Sequence, residues 1–180
     1  MPLRVIAVPT LSLLLLVAAS GCARLPGQEV PYVVTPLRVV DTMLQLAAVG
    51  RDDVVYDLGS GDGRIVIAAA RDFGARGVGI EIDPRLVAES TRRAERAGLA
   101  DRVRFTTQDL FQADLRPATV VTLYLTRELN IRLRPKLLAE LRPGTRVVSH
   151  RFDMGDWPPE REVKLDVDGN PYVVYLWRIP

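Results

Sequence analysis

At 180 residues, 48% of them apolar, the chain can build one domain with a sizeable core. Its 24 basic and 22 acidic side chains nearly cancel, and the arginines are interleaved with acids, as Arg92, Arg93 and Arg96 are with Glu89 and Glu95. That pattern reads as a solvated helix face and argues against a dedicated nucleic-acid binder, which needs a basic track.

Residues 1–21 carry a single charge, Arg4, ahead of an apolar run from Val5 to Ala19 that ends Ala18-Ala19-Ser20-Gly21-Cys22. A short positive region, an apolar core and small residues resemble a bacterial secretory signal. The junction resembles a lipoprotein box, although Ala19 stands where leucine is usual. That resemblance implies cleavage before Cys22, lipidation of its thiol and a membrane-associated protein. The alternative is an uncleaved membrane anchor, for which a run of about 15 residues is short. Cys22 is the only cysteine, so once lipidated it leaves no thiol for a disulfide or a thiolate metal site. Residues 22–35, with Pro26, Gly27 and Pro31, read as a tether, and 36–180 as the folded domain.

Thr35 is placed to cap a helix with Pro36 at its first position, and Leu37, Val40, Leu44, Ala47 and Ala48 fall on one face up to Gly50. Strand and helix signals then alternate. Strands are expected at Val54–Leu58, Val78–Ile82, Val103–Thr107, Thr119–Leu125 and Thr145–His150. Helices are expected at Arg64–Phe73, from Pro84 to Gly98, and at Arg127–Leu141 with a kink at Pro135. After Pro158-Pro159 the alternation stops. Glu162–Val167 and Tyr172–Ile179, joined by Asp168-Gly169-Asn170-Pro171, read as a hairpin. The sum is an α/β, doubly wound, mostly parallel Rossmann-like sheet with a C-terminal antiparallel hairpin and helices on both faces.

The chemistry concentrates at Asp57-Leu58-Gly59-Ser60-Gly61-Asp62-Gly63, between the first strand and the next helix. Glycines at alternate positions allow a tight turn and close approach of a ligand to the backbone. A dinucleotide fingerprint, Gly-x-Gly-x-x-Gly, fails in both registers, because the sixth position is Arg64 or Val66. A Walker loop fails for want of Gly-Lys-Ser/Thr. An acid two residues before the first glycine would repel a pyrophosphate and suits a cofactor carrying positive charge. Glu81, closing the second strand, stands where a nucleoside presents its ribose hydroxyls.

These residues resemble the class I S-adenosylmethionine-dependent methyltransferases, whose first motif is acid-x-Gly-x-Gly-x-Gly. By that resemblance Asp57 would contact the methionine amino group, and the loop Gly59, Ser60, Gly61 and Gly63 would admit the cofactor. Glu81 would accept both ribose hydroxyls, with Ile82 beside it. Asp109, followed by Leu110, would bind the adenine amino group. Pro31-Tyr32-Val33-Val34-Thr35-Pro36 before a helix, together with Asp57 to Ala70, narrows the resemblance to the compact lysine methyltransferases of mitochondrial membrane proteins and their bacterial relatives. The implied activity is methyl transfer to an amine, with a protein lysine as one candidate. A small-molecule or lipid acceptor, or a non-catalytic cofactor-binding protein, is the alternative.

Three residues are candidates for the catalytic role. Tyr124, ending the fourth strand, lines an acceptor pocket or is buried in the sheet–helix core. Tyr32 covers the cofactor or packs a linker. His150, the only histidine, ends the fifth strand on the edge where open sheets bind ligands, or is a partly exposed loop residue. Asp153, Asp156 and Trp157 form either an acidic, aromatic rim for a cationic acceptor or an aspartate-stabilised turn. No metal site is expected with one histidine and the cysteine in the leader.

Overall fold

The computed structural model describes residues 32–180. The leader, Cys22 and most of the tether lie outside the described residues. Five parallel strands, β1 (Val54–Leu58), β2 (Arg76–Glu81), β3 (Val103–Thr107), β4 (Val120–Leu123) and β5 (Arg146–His150), alternate with helices α2 (Arg64–Phe73), α3 (Pro84–Arg96) and α4 (Arg127–Glu140). Helix α1 (Leu37–Leu46) precedes them, and a hairpin of β6 (Arg161–Val167) and β7 (Asn170–Arg178) follows. The seven-stranded sheet has the order β3-β2-β1-β4-β5-β7-β6, with β7 antiparallel to β5. The doubly wound sheet with its antiparallel end is the architecture expected above.

Alternation along the strands divides the core. Val55, Val120, Val148 and Leu176 point to the face covered by α1, α2 and α3, where Val40, Leu44, Val66 and Ala94 are buried. Tyr56, Val121, Val147 and Trp177 point to the other face and pack on Leu129, Leu133 and Leu137 of α4. The chain leaves β1 toward β2 on one side and returns as β4 on the other. A crevice therefore opens beyond the carboxyl ends of β1 and β4, the usual ligand position in such sheets.

Some boundaries differ from the expectation for local reasons. Strand β2 begins at Arg76, because the Arg76 amide donates to the Asp53 carbonyl (3.0 Å) and extends the ladder past what side-chain type suggests. The hairpin turn is only Asp168-Gly169, both at positive φ (55° and 77°), as a two-residue type I′ turn requires. Pro171 sits inside β7 opposite Asp166 of β6, beyond the stretch that β5 pairs, so its missing N–H is not needed. Helix α4 continues through Pro135 to Glu140. At α1 the N-cap position is Pro36 and no side chain caps it. Thr35 does not cap because its hydroxyl is engaged with His150.

Candidate active site

The loop after β1 is folded back onto the end of β2. The Gly59 and Ser60 amides donate to the Ile80 carbonyl at 2.8 and 3.0 Å, and the Gly63 amide to the Ser60 carbonyl at 2.9 Å. Glu81 completes the arrangement. Its Oε2 accepts the Gly61 amide at 2.8 Å, while Oε1 accepts the Ile82 and Asp83 amides at 2.8 and 3.0 Å. One carboxylate thus ties the glycine loop to the turn that starts α3. At Gly61 (φ 53°) a Cβ would come within 2.6 Å of the Tyr32 ring, so a side chain there would displace Tyr32 and strain the backbone. Gly63 serves a different end: its Cβ would meet Phe105 of β3 at 2.5 Å and Ser90 of α3 at 2.8 Å, so the missing side chain lets the start of α2 seat against both.

Asp57 is buried at the end of β1 and accepts the Thr122 hydroxyl at 2.7 Å. Burial pushes its carboxyl up to about 7, against the pull of Thr122 and with help from the charges of Glu81 and Asp62. Among the described residues no cationic side chain pairs with it, so when ionised it is an electrostatic seat for a positive group. Asp62 behaves oppositely. Burial alone would raise it, but Arg64 (Nη2, 2.7 Å) and Arg93 (Nη1, 2.6 Å) outweigh that and hold it below the usual carboxylate range. Arg64 also donates from Nη1 to the Thr35 carbonyl at 2.8 Å. Burial and then the Asp62 charge raise the Tyr32 hydroxyl. The segment before α1 is therefore fastened across the loop, and residues 32–35, expected as the end of a tether, belong to the site's wall.

A cavity of about 360 Å³ lies between this segment, the loop and the ends of β2 and β4. It brings together most of the residues expected from the sequence: Asp57 from β1, Gly59, Ser60 and Gly61 from the loop, Glu81 and Ile82 at the end of β2, and Asp109 and Leu110 beyond β3. Tyr32 and Tyr124 line it as well. Asp109 accepts the Phe111 amide at 2.9 Å, which sets the turn that carries Leu110 and Phe111. Thr126 caps α4 by accepting the Leu129 amide at 3.2 Å. Ser60 Oγ is buried without a partner among the described residues, packed over Gly79, where a Cβ would come within 2.6 Å of it.

Gly63 and His150 do not line the cavity. His150 is fully buried, not partly exposed, with its ring 4.0 Å from that of Tyr124 and 5.5 Å from that of Tyr172. Burial, reinforced by the charge of Arg151, lowers its pKa to about 4, so the ring is neutral near pH 7. The 153–157 segment forms the turn rather than the rim. Asp153 accepts the Gly155 amide at 2.8 Å and pairs with Arg127, and Asp156 pairs with Arg134. Trp157 packs on Trp177, whose Nε1 donates to the Trp157 carbonyl at 2.9 Å. Sequence reasoning missed Thr35, Arg64, Phe111, Arg132 and Phe152 in the cavity wall. Only Arg64 left a local signal, standing beside the acidic glycine loop.

A buried carboxyl and a loop whose glycines leave room where side chains would fill it fit a small cationic nucleoside, and similarity to known proteins agrees. The model of the ANTKMT methyltransferase domain matches residues 57–161. A protein-lysine N-methyltransferase of Saccharolobus islandicus is 47% identical over 153 residues, covering 84% of this chain and 94% of that protein. The adenine nucleotide translocase lysine N-methyltransferase of mouse is 40% identical over 77% of this chain, which spans 61% of the mouse protein. A crystal structure from Salinibacter ruber, named an RNA methyltransferase and solved with S-adenosyl-L-homocysteine, is 59% identical with a TM-score of 0.78. It covers 82% of this chain and 94% of its own.

Proposed function

We propose a protein lysine as the methyl acceptor, from one premise: the chain belongs to the ANTKMT methyltransferase domain family and is an S-adenosylmethionine-dependent methyltransferase. When bound, the cofactor supplies a sulfonium methyl for in-line displacement. The chain's part is to bind and align. Asp57 would seat the methionine ammonium, Glu81 the ribose hydroxyls, and Asp109 the adenine amino group between Ile82 and Leu110. Gly59 and Gly61 would let the backbone close on the cofactor. Tyr32, drawn to Asp62, acts in closure and not as a base. Tyr124 is the candidate for orienting the acceptor amine, whose nitrogen must be neutral to attack.

The lining of the mouth carries the choice of acceptor. Of the two arginines in the cavity wall, Arg64 is locked on Asp62 and Arg132 lies over the Phe111 ring at 4.9 Å. The lip itself is Tyr32, Val33 and Val34, all exposed. An RNA track is built from cations aimed at phosphates; this lip offers apolar surface, which suits a peptide segment. RNA is the competing acceptor, favoured by the name of the Salinibacter structure. Radiolabelled methyl transfer into extracts of cells lacking the enzyme tests the choice. Label in protein that yields methyllysine on hydrolysis is expected, and label confined to RNA, lipid or small molecules overturns it.

The leader adds a location. Its lipoprotein-like junction supports cleavage before Cys22 and a lipid-anchored, membrane-associated enzyme. Intact mass of the purified protein should show loss of residues 1–21 and a lipid increment that Cys22→Ser abolishes. A mature chain retaining residues 1–21 would support the uncleaved anchor instead.

A further inference from the structure

We propose that His150 is a positioning residue that couples the segment closing over the cofactor loop to the tyrosine at the far side of the cavity. It rests on the reading of this cavity as the cofactor site, whatever the acceptor. His150 is the last residue of β5 and fully buried, so it cannot touch substrate itself. Its Nδ1 shares a 3.3 Å hydrogen bond with the hydroxyl of Thr35, the residue whose carbonyl Arg64 holds. Its ring supports Tyr124 from one side. Arg151, at φ 73°, then reverses the chain, and its amide donates to the Val173 carbonyl at 2.8 Å. The reversal returns Phe152 to Tyr124, with ring centroids 6.3 Å apart and an interplanar angle of 19°. Asn130 fixes that turn by donating from Nδ2 to the Phe152 carbonyl and to Ser149 Oγ, each at 3.0 Å. Tyr124 is thus flanked by two side chains of one turn, and the first of them is bonded to the closing segment.

The chemistry explains why a histidine stands there. Nε2 is buried without a partner among the described residues, which is unfavourable. A phenylalanine would fill the same space against Tyr124 and Tyr172 and leave no orphan nitrogen. What histidine adds is the Thr35 bond. If the segment lifts, Nδ1 is stranded as well, so segment closure and the seating of Tyr124 favour one another, as coupled sites must.

His150→Phe keeps the ring and drops the bond; Thr35→Val drops it from the other side. With the full chain and S-adenosyl-L-homocysteine as probe, each variant should bind about 3–10-fold more weakly by calorimetry. The double variant should bind no more weakly than the weaker single, because both remove one bond. In the wild type the probe should slow amide exchange over 124–126, and in both single variants that slowing should be lost. Affinity within twofold of wild type, multiplicative losses in the double variant, or unchanged exchange at 124–126 would each overturn the coupling. If His150→Phe fails to fold, Thr35→Val alone decides by the affinity and exchange criteria. Failure of the wild type itself to bind the probe would remove the cofactor reading, a different result from binding that the variants leave untouched.

Discussion

Glu81→Ala is expected to raise the Kd for S-adenosyl-L-homocysteine roughly 10–150-fold, about 1.5–3 kcal/mol, the range for losing hydrogen bonds to a charged group. The effect has two sources. The carboxylate is the proposed acceptor for the ribose hydroxyls, and it also accepts the Gly61, Ile82 and Asp83 amides. Removing it therefore frees the glycine loop from the turn before α3 while taking away a ligand contact. Glu81→Gln retains one acceptor oxygen and should fall between alanine and wild type. Calorimetry that finds the alanine variant unchanged would take Glu81 out of the site.

Asp57→Asn separates affinity from stability. The Asp57 carboxyl is raised to about 7 in the ligand-free fold, chiefly by burial, and must be ionised to pair with an ammonium. Affinity of the wild type should therefore climb about eightfold between pH 6 and 7.5, by the linkage relation. The Asp57→Asn variant should bind weakly with no such slope. Stability without ligand runs the other way. Because the folded pKa exceeds the ordinary carboxyl value of 3.8, the fold binds more protons than the unfolded chain between about pH 4 and 7. Its stability relative to the variant is lost as pH rises through that window and is flat above it. Asparagine can still accept the Thr122 hydroxyl, so the variant should melt higher at pH 7.5, by at most about 4 kcal/mol in stability. The difference should vanish below about pH 4. Equal melting temperatures at pH 7.5, or a pH-independent wild-type affinity, would remove Asp57 as the buried anion of the site.

The elements and the cofactor chemistry are legible along the chain because both are written in short-range patterns. Val54–Leu58 followed by alternate glycines specifies a strand, a turn and a helix start within a dozen residues, and β1, α2 and β3 fall where their side chains place them. Asp57, Glu81 and Asp109 end or follow successive strands of a parallel sheet, so their meeting at one edge follows from topology alone. Other roles depend on contacts between distant parts of the chain, which no local pattern encodes. Thr35 looks like a helix cap until β5 brings His150 to its hydroxyl across 115 positions. His150 looks like a loop histidine until Tyr124 and Tyr172 enclose it. Gly63 looks like its neighbours in the motif until Phe105 and Ser90 close on it. Asp153 and Asp156 look like a free acidic rim until Arg127 and Arg134 of α4 neutralise them. Local propensity and spacing fix what a residue is able to do; burial and partner, set by packing across the sheet, decide which of those things it does.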